Sequence, residues 1–246
     1  MSQLYNSGPI LRVSTPAFAL ISGSVSGTTP KVSGWIELKD VDTFVVAITQ
    51  GTGVNGVWTA DVATDANGRD VKPLPNPPAF PSGVAATGSP VITMPGDQFY
   101  FLRLTFTPSA GSSTAVANAG LITSKPVSTA RSEIWGMGIY VPAADTLACD
   151  IALEFSPNYD LRTVGGSTTS TPQFKNTTDD PAIWMPAVGV PSASGVETAI
   201  AIPSVVGSAG QSAYYRFQHF EPIAIRLKVT PTAGFGHFRS WSNGKG

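Results

Sequence analysis

The sequence predicts an all-β protein made of two tandem antiparallel β-sandwich or jelly-roll-like modules with an extended N-terminal arm. Three observations carry that prediction. The 25 Gly, 21 Pro, 25 Ser and 25 Thr make up 96 of 246 residues, and these types favour turns and strands over helix interiors. Hydrophobic residues reach 42% and fall in short β-branched and aromatic runs, so the chain has a core to form and is not a low-complexity coil. Finally, two segments repeat each other at long range.

The arm covers residues 1–30. Gly8-Pro9, Thr15-Pro16 and the Ser/Gly/Thr run over 22–29 keep it extended, while Tyr5, Ile10, Leu11, Val13, Phe18 and Leu20 give it more apolar side chain than a flexible linker carries. Two readings stand for residues 10–21. They form the first strand of module one, or they add as a strand to a neighbouring subunit.

The modules are expected over 31–124 and 125–246. Residues 100–111 (YFLRLTFTPSAG) align with 223–234 (IAIRLKVTPTAG) at an offset of 123, with Arg103 matching Arg226 and Leu104 matching Leu227. In both, alternate apolar residues share one face and the arginine points to the other, followed by a Pro/Gly turn. Residues 42–48 align with 145–151 at an offset of 103, and Trp58 and Val62 with Trp184 and Val188 at 126. The jump between offsets places an inserted loop within 158–180 of module two, where Gly165-Gly166-Ser167-Thr168 reads as coil. The equivalent positions of Trp58 and Trp184 predict a common core role.

Several motifs invite a chemical reading. Gly51-Thr52-Gly53-Val54-Asn55-Gly56 is formally G-x-G-x-x-G, but dinucleotide binding requires a helix to open at once, and no 3.6-residue periodicity follows. Asn55-Gly56 predicts a hairpin turn instead. The acidic stretch at Asp65, Asn67 and Asp70 looks like a calcium loop, yet its twelfth position is Asn76 rather than Glu. An ordinary Asp/Asn turn is expected there. His219 and His237 are the only histidines and Cys149, predicted in a buried strand, the only cysteine, so no zinc ligand set and no internal disulfide are expected. Glu133 and Glu154 would serve as a glycosidase pair only if the fold brought them together. No nucleophile elbow, P-loop or H-E-x-x-H motif occurs. Neither catalytic residues nor a cofactor or metal are expected, and the chain reads as non-enzymatic.

Lys and Arg number 15 against 16 Asp and Glu, a net charge of -1 with 13% of residues charged. Nucleic acid and anionic membrane are held by clustered cations, and no such cluster is present, so neither is an expected partner. No segment has the ~20 apolar residues of a membrane helix. A weakly charged surface can be dehydrated over wide areas without stranding ions. The candidate assembly contacts are therefore the apolar ends of the chain: Tyr5, Ile10, Leu11, Val13, Phe18 and Leu20 in the arm, and Phe235, Phe238 and Trp241 in the tail.

The strand Asp-Thr-Leu-Ala-Cys-Asp-Ile-Ala-Leu-Glu-Phe-Ser from Asp145, the Trp184 that precedes Pro-Ala-Val, and the closing Ile-Arg-Leu-Lys-Val-Thr from Ile225 resemble the β-sandwich modules of tailed-bacteriophage virion proteins. The likeness covers residues 145–234 and, more loosely, 42–111, where Gln50-Gly51-Thr52-Gly53 departs from it. It implies a capsid decoration or cement protein that stabilises the head by subunit–subunit contacts. Its partners would be itself, as dimer or trimer, and the major capsid protein or other virion proteins. It implies location in the virion after assembly in the host cytoplasm, and it supplies no catalytic residue. The alternative function is a phage tail or fibre accessory or a glycan-binding adhesin module using loop 158–180.

Overall fold

The computed structural model describes residues 12–53, 55–95, 99–110, 112–128, 134–141, 146, 148–157, 183–186, 188–189, 198–199, 205–206, 211–218, 224–234 and 236–245. Among them there is no helix, and every strand pairing is antiparallel. In chain order the strands are β1 (Arg12–Thr15), β2 (Ala19–Ile21), β3 (Ser24–Ser26), β4 (Lys31–Val32), β5 (Ile36–Glu37), β6 (Val41–Gln50), β7 (Asn55–Ala63), β8 (Lys72–Pro73), β9 (Thr87–Gly88), β10 (Val91–Thr93) and β11 (Phe101–Ala110). There follow β12 (Ser112–Ser124), β13 (Val127–Ser128), β14 (Ile134–Val141), β15 (Ala148–Ser156), β16 (Met185–Pro186), β17 (Val188–Gly189), β18 (Thr198–Ala199), β19 (Val205–Val206), β20 (Gln211–Gln218), β21 (Ala224–Ala233) and β22 (Gly236–Lys245).

A large sheet runs β10-β6-β12-β21-β15-β16, with β2 and β3 added to β12. A second runs β4-β11-β7-β8, with β5 on β11, and a third runs β1-β22-β14-β20. Period-2 burial sets the first two face to face over one core. Phe44, Val46 and Ile48 of β6 and Ala115, Ala117 and Ala119 of β12 bury from one side, and Trp58, Ala60 and Val62 of β7 and Leu102, Leu104 and Phe106 of β11 from the other. Cys149, Ile151, Leu153 and Phe155 of β15 with Ile225, Leu227 and Val229 of β21 continue the same cluster.

The long-range repeat is present as register, with different partners from those the sequence alignment indicates. β11 pairs β7 through Leu102↔Val62, Arg103↔Asp61 and Leu104↔Ala60, and β21 pairs β15 through Ile225↔Phe155, Arg226↔Glu154 and Leu227↔Leu153. The counterpart of β15 is thus β7, 93 residues earlier, and the offset of 103 that set it against β6 is corrected. β6 and β15 share apolar alternation, which any half-buried strand shows, so period alone cannot tell which neighbour a strand takes.

Two further corrections concern single segments. The glycines at 51–56 make no hairpin: β6 pairs β12 while β7 pairs β11 in the other sheet, so the loop crosses between layers. Gly56 is required by packing, since a Cβ there would fall 2.6 Å from the Phe106 ring and from the Thr107 carbonyl. The arm does not serve module one alone. β2 and β3 pair β12, but β1 pairs β22 near the end of the chain, with Arg12↔Arg239 and Val13↔Phe238. Phe18 joins the two, its N–H donating to Gly234 O at 2.8 Å and its carbonyl accepting from Ala119 N at 2.7 Å.

A buried serine recurs beside each closing strand. Ser33 Oγ accepts the Leu104 N–H at 2.9 Å, and Ser124 Oγ accepts the Leu227 N–H at 2.9 Å. Each hydroxyl also donates to the carbonyl of the next residue, Gly34 or Lys125. Beside each closing strand the hydroxyl fills the gap between two strand pieces, β4 and β5 on β11, and the end of β12 and β13 on β21. Removing one strands a buried amide, so Ser124→Ala should cost about 1–3 kcal/mol in denaturant unfolding. Phe106→Ala, which empties a site with no solvent exposure, should cost about 3–5 kcal/mol in the same measurement.

Candidate functional site

The matching arginines found in sequence lead to a cluster that occurs twice. On the outer face of β11, Arg103 Nη2 lies 2.8 Å from Asp61 Oδ2, and its guanidinium carbon lies 4.6 Å from the centre of the Trp35 ring. Gly68 packs against the same indole, where a Cβ would come within 2.8 Å of Nε1. On β21, Arg226 approaches Glu154 Oε2 with Nε at 2.8 Å and Nη2 at 2.7 Å, and Lys228 Nζ donates to Oε1 at 2.9 Å. Its guanidinium carbon lies 4.0 Å from the Trp184 ring centre. The closing strand supplies the cation, its neighbour supplies the acid, and a separate segment lays a tryptophan over the guanidinium.

The electrostatics mark these clusters as clamps. The Glu154 side chain is 14% exposed. Burial by itself disfavours its charge, but hydrogen bonds from Lys228 and Arg226 and their positive charge outweigh that and hold the carboxyl below its ordinary range. A carboxylate kept ionised in this way is a poor general acid, and Glu133, its imagined glycosidase partner, lies outside the described residues. Nearby Asp42 shifts the other way, raised by burial against the attraction of Arg226 and Lys125.

Trp184 pairs in role with Trp35, a correction to its alignment with Trp58. Trp58 is 3% exposed and packs against Phe106 with ring centres 4.8 Å apart and planes tilted by 42°. In the amide orientation that satisfies both groups, Gln50 accepts the Trp58 indole N–H and donates to Gly83 O. Trp58 is therefore a core residue, while Trp35 and Trp184 are half-buried covers. Sequence reasoning saw the two arginines, and Trp35 only as one of five tryptophans able to stack on a ring or anchor a core, but missed its place over Arg103 and missed Ser33 and Ser124. Comparing strands 93 residues apart would have set Asp61 against Glu154, although Ser33 and Ser124 stand in otherwise dissimilar segments.

The remaining candidates have structural employment where they are described. Asp65 Oδ1 accepts the N–H groups of Asn67 and Arg69 at 2.9 and 3.0 Å, the expected Asx-type turn. Cys149 is 1% exposed and its thiol is pushed up to about 12, by burial and then by the charge of Asp150, which leaves it unreactive. Among the described residues no three His, Cys, Asp or Glu side chains are grouped as metal ligands, and no helix is long and apolar enough to cross a membrane. His219 and the loop 158–180 lie outside the described residues, and His237 falls in β22.

Of the candidate assembly contacts, Phe18 and Leu20 are half-buried, Leu20 against the core. Val13 lies in β1, and Phe238 and Trp241 in β22. Val13 and Phe238 are direct register partners, so arm and tail meet within one chain. Tyr5, Ile10, Leu11 and Phe235 lie outside the described residues. A separate feature, unforeseen in sequence, is an apolar cleft of about 360 Å³ along β7, lined by Val57, Trp58, Thr59, Leu74, Pro77 and Phe80 among others.

The sequence matches no protein-family model and no curated protein. Solved structures offer distant likenesses. The PBSX exported protein XepA is 10% identical, with 92% of this chain and 86% of that chain covered and a TM-score of 0.26. The N-terminal CBM22-1–CBM22-2 tandem domain from Paenibacillus barcinonensis Xyn10C is 8% identical, with both chains fully covered and a TM-score of 0.24.

The Glu154 cluster makes a signed prediction. A carboxyl with a depressed folded pKa contributes stability that is complete above the unfolded value of about 4.3 and is lost as pH falls through the folded value. Glu154→Gln should therefore cost about 1–3 kcal/mol at pH 7, between the range for exposed pairs and that for buried ones. The difference from the parent should shrink on acidification, as read from urea midpoints across pH 2–7.

Proposed function

We propose that this chain is a non-enzymatic structural protein of a bacteriophage virion, a decoration or cement protein that stabilises the head through subunit–subunit contacts. The observation that carries the reading is the exposure of apolar side chains on a chain only 13% charged. The outward-facing arginines of the closing strands and the acids beside them pair with one another within the two clusters. Elsewhere apolar side chains stand among the outer positions, with Val32, Val57, Val84 and Val91 each at least half exposed. Such faces lose water at low cost when a neighbour covers them. The resemblance of residues 145–234 to virion sandwich modules supplies the setting, and homo-oligomers with the major capsid protein or other virion proteins as partners follow from it.

The deciding experiment mixes purified protein with particles that lack it and images where it sits. Ordered density on the head, with the particles made more heat-resistant, is the expected result. Because the contact would be mainly apolar, binding should persist from about 0.1 to 1 M salt, where the screening length falls from ~10 to ~3 Å. Failure to bind heads, together with glycan binding or polysaccharide hydrolysis by the free protein, would overturn the reading.

A further inference from the structure

The cleft along β7 is an open strand edge. One edge of β7 is fully paired with β11 from Asn55 to Ala63. On the other edge, β8 meets only Asp61 and Val62, and Leu74 N–H adds one bond to Ala60 O at 2.9 Å. Main-chain groups of alternate residues point to the same edge of a strand, so those of Trp58 and Gly56 point where Ala60's does. Among the described residues nothing pairs with them there. The chain that leaves β8 diverges through Pro73, Pro75, Pro77, Pro78 and Pro81, and proline has no N–H to offer. The cleft is lined by outward-facing Val57 and Thr59 together with inward-facing Trp58 and Ala60. Only a groove along the edge itself can touch both faces of a strand.

We propose that this edge receives residues 1–11 of a second copy of the chain, added as a strand beside Gly56–Trp58 with apolar side chains in the proline-walled cleft. The inference rests on the assembly reading above and names its contact. Three consecutive pieces of the same N-terminal segment already bind by edge addition, β1 to β22 and β2 and β3 to β12. The preceding eleven residues contain Leu4, Tyr5, Ile10 and Leu11 and no charged side chain. Extended, they reach up to roughly 36 Å beyond Arg12. An uncharged arm suits a cleft whose described lining holds no ionisable group. The main chain would supply affinity and alternate side chains the fit.

Two full-length-derived variants test the contact by sedimentation. Deletion of residues 1–11 removes the arm and leaves the edge. Val57→Lys leaves the arm and places a charge on the edge at a side chain already 60% exposed, so its melting temperature should match the parent. The expected result is a concentration-dependent oligomer for the parent, self-association weakened by at least about tenfold for each variant, and recovery of association when the two are mixed. A synthetic peptide of residues 2–11 should bind the deletion variant and shift the amide resonances of Gly56 and Trp58. A monomeric parent, oligomerisation unchanged by both variants, or no recovery on mixing overturns the proposal. Particle binding by the variants is scored separately, so heads that still bind a monomeric protein refute the arm contact while sparing the virion reading.

Discussion

Each half of the molecule depends on a closing strand whose two faces do different work. β11 and β21 bury Leu102, Leu104 and Phe106, or Ile225, Leu227 and Val229, on one side. On the other they hold an arginine against a carboxylate across the ladder and under a tryptophan. The apolar face contributes most of the stability through area removed from water. The ionic face sets the register, because a slip of one residue would turn Arg103 or Arg226 into the core and leave the acid unpaired. The serine hydroxyls at 33 and 124 complete the main-chain bonding where the third strand breaks.

That arrangement also explains why the arm runs to the far end of the chain. In the first half, β4 and β5 flank β11, and β3, just before them, pairs β12. In the second half the flanking strand of β21 is the end of β12 followed by β13. The preceding residues of β12 are already bonded to β6, β2 and β3. Hence β22, which pairs β14 as β12 pairs β6, cannot take its edge partner from the residues just before the module. β1 fills that edge. Gly120 sits at the register shift that lets one strand serve both halves, with a Cβ there only 3.1 Å from Val45 O.

A chain organised in this way has little polar machinery left over. Cys149 is buried, Asp65 holds its own turn, and Trp58 and Gln50 satisfy one another. What stays accessible includes exposed apolar side chains and an open strand edge, the materials of protein–protein contact. Function in a molecule of this kind lies in which edges are covered and by what, so it is carried by backbone geometry that no short residue pattern announces.

Composition and period-2 alternation determined by themselves that the chain is all-β, that residues 101–110 and 224–233 are equivalent half-buried strands, and that an ordinary turn forms at Asp65, because these follow from local preference and from the two faces of a pleated strand. Pairing was decided only by the tertiary structure. It matched β15 with β7, set Trp35 and Trp184 over their arginines, sent the loop at 51–56 between layers and joined Arg12–Thr15 to Gly236–Arg239. Strand partners are chosen by hydrogen bonds and packing between residues dozens to hundreds apart, and any strand with the right alternation satisfies the local rule equally well.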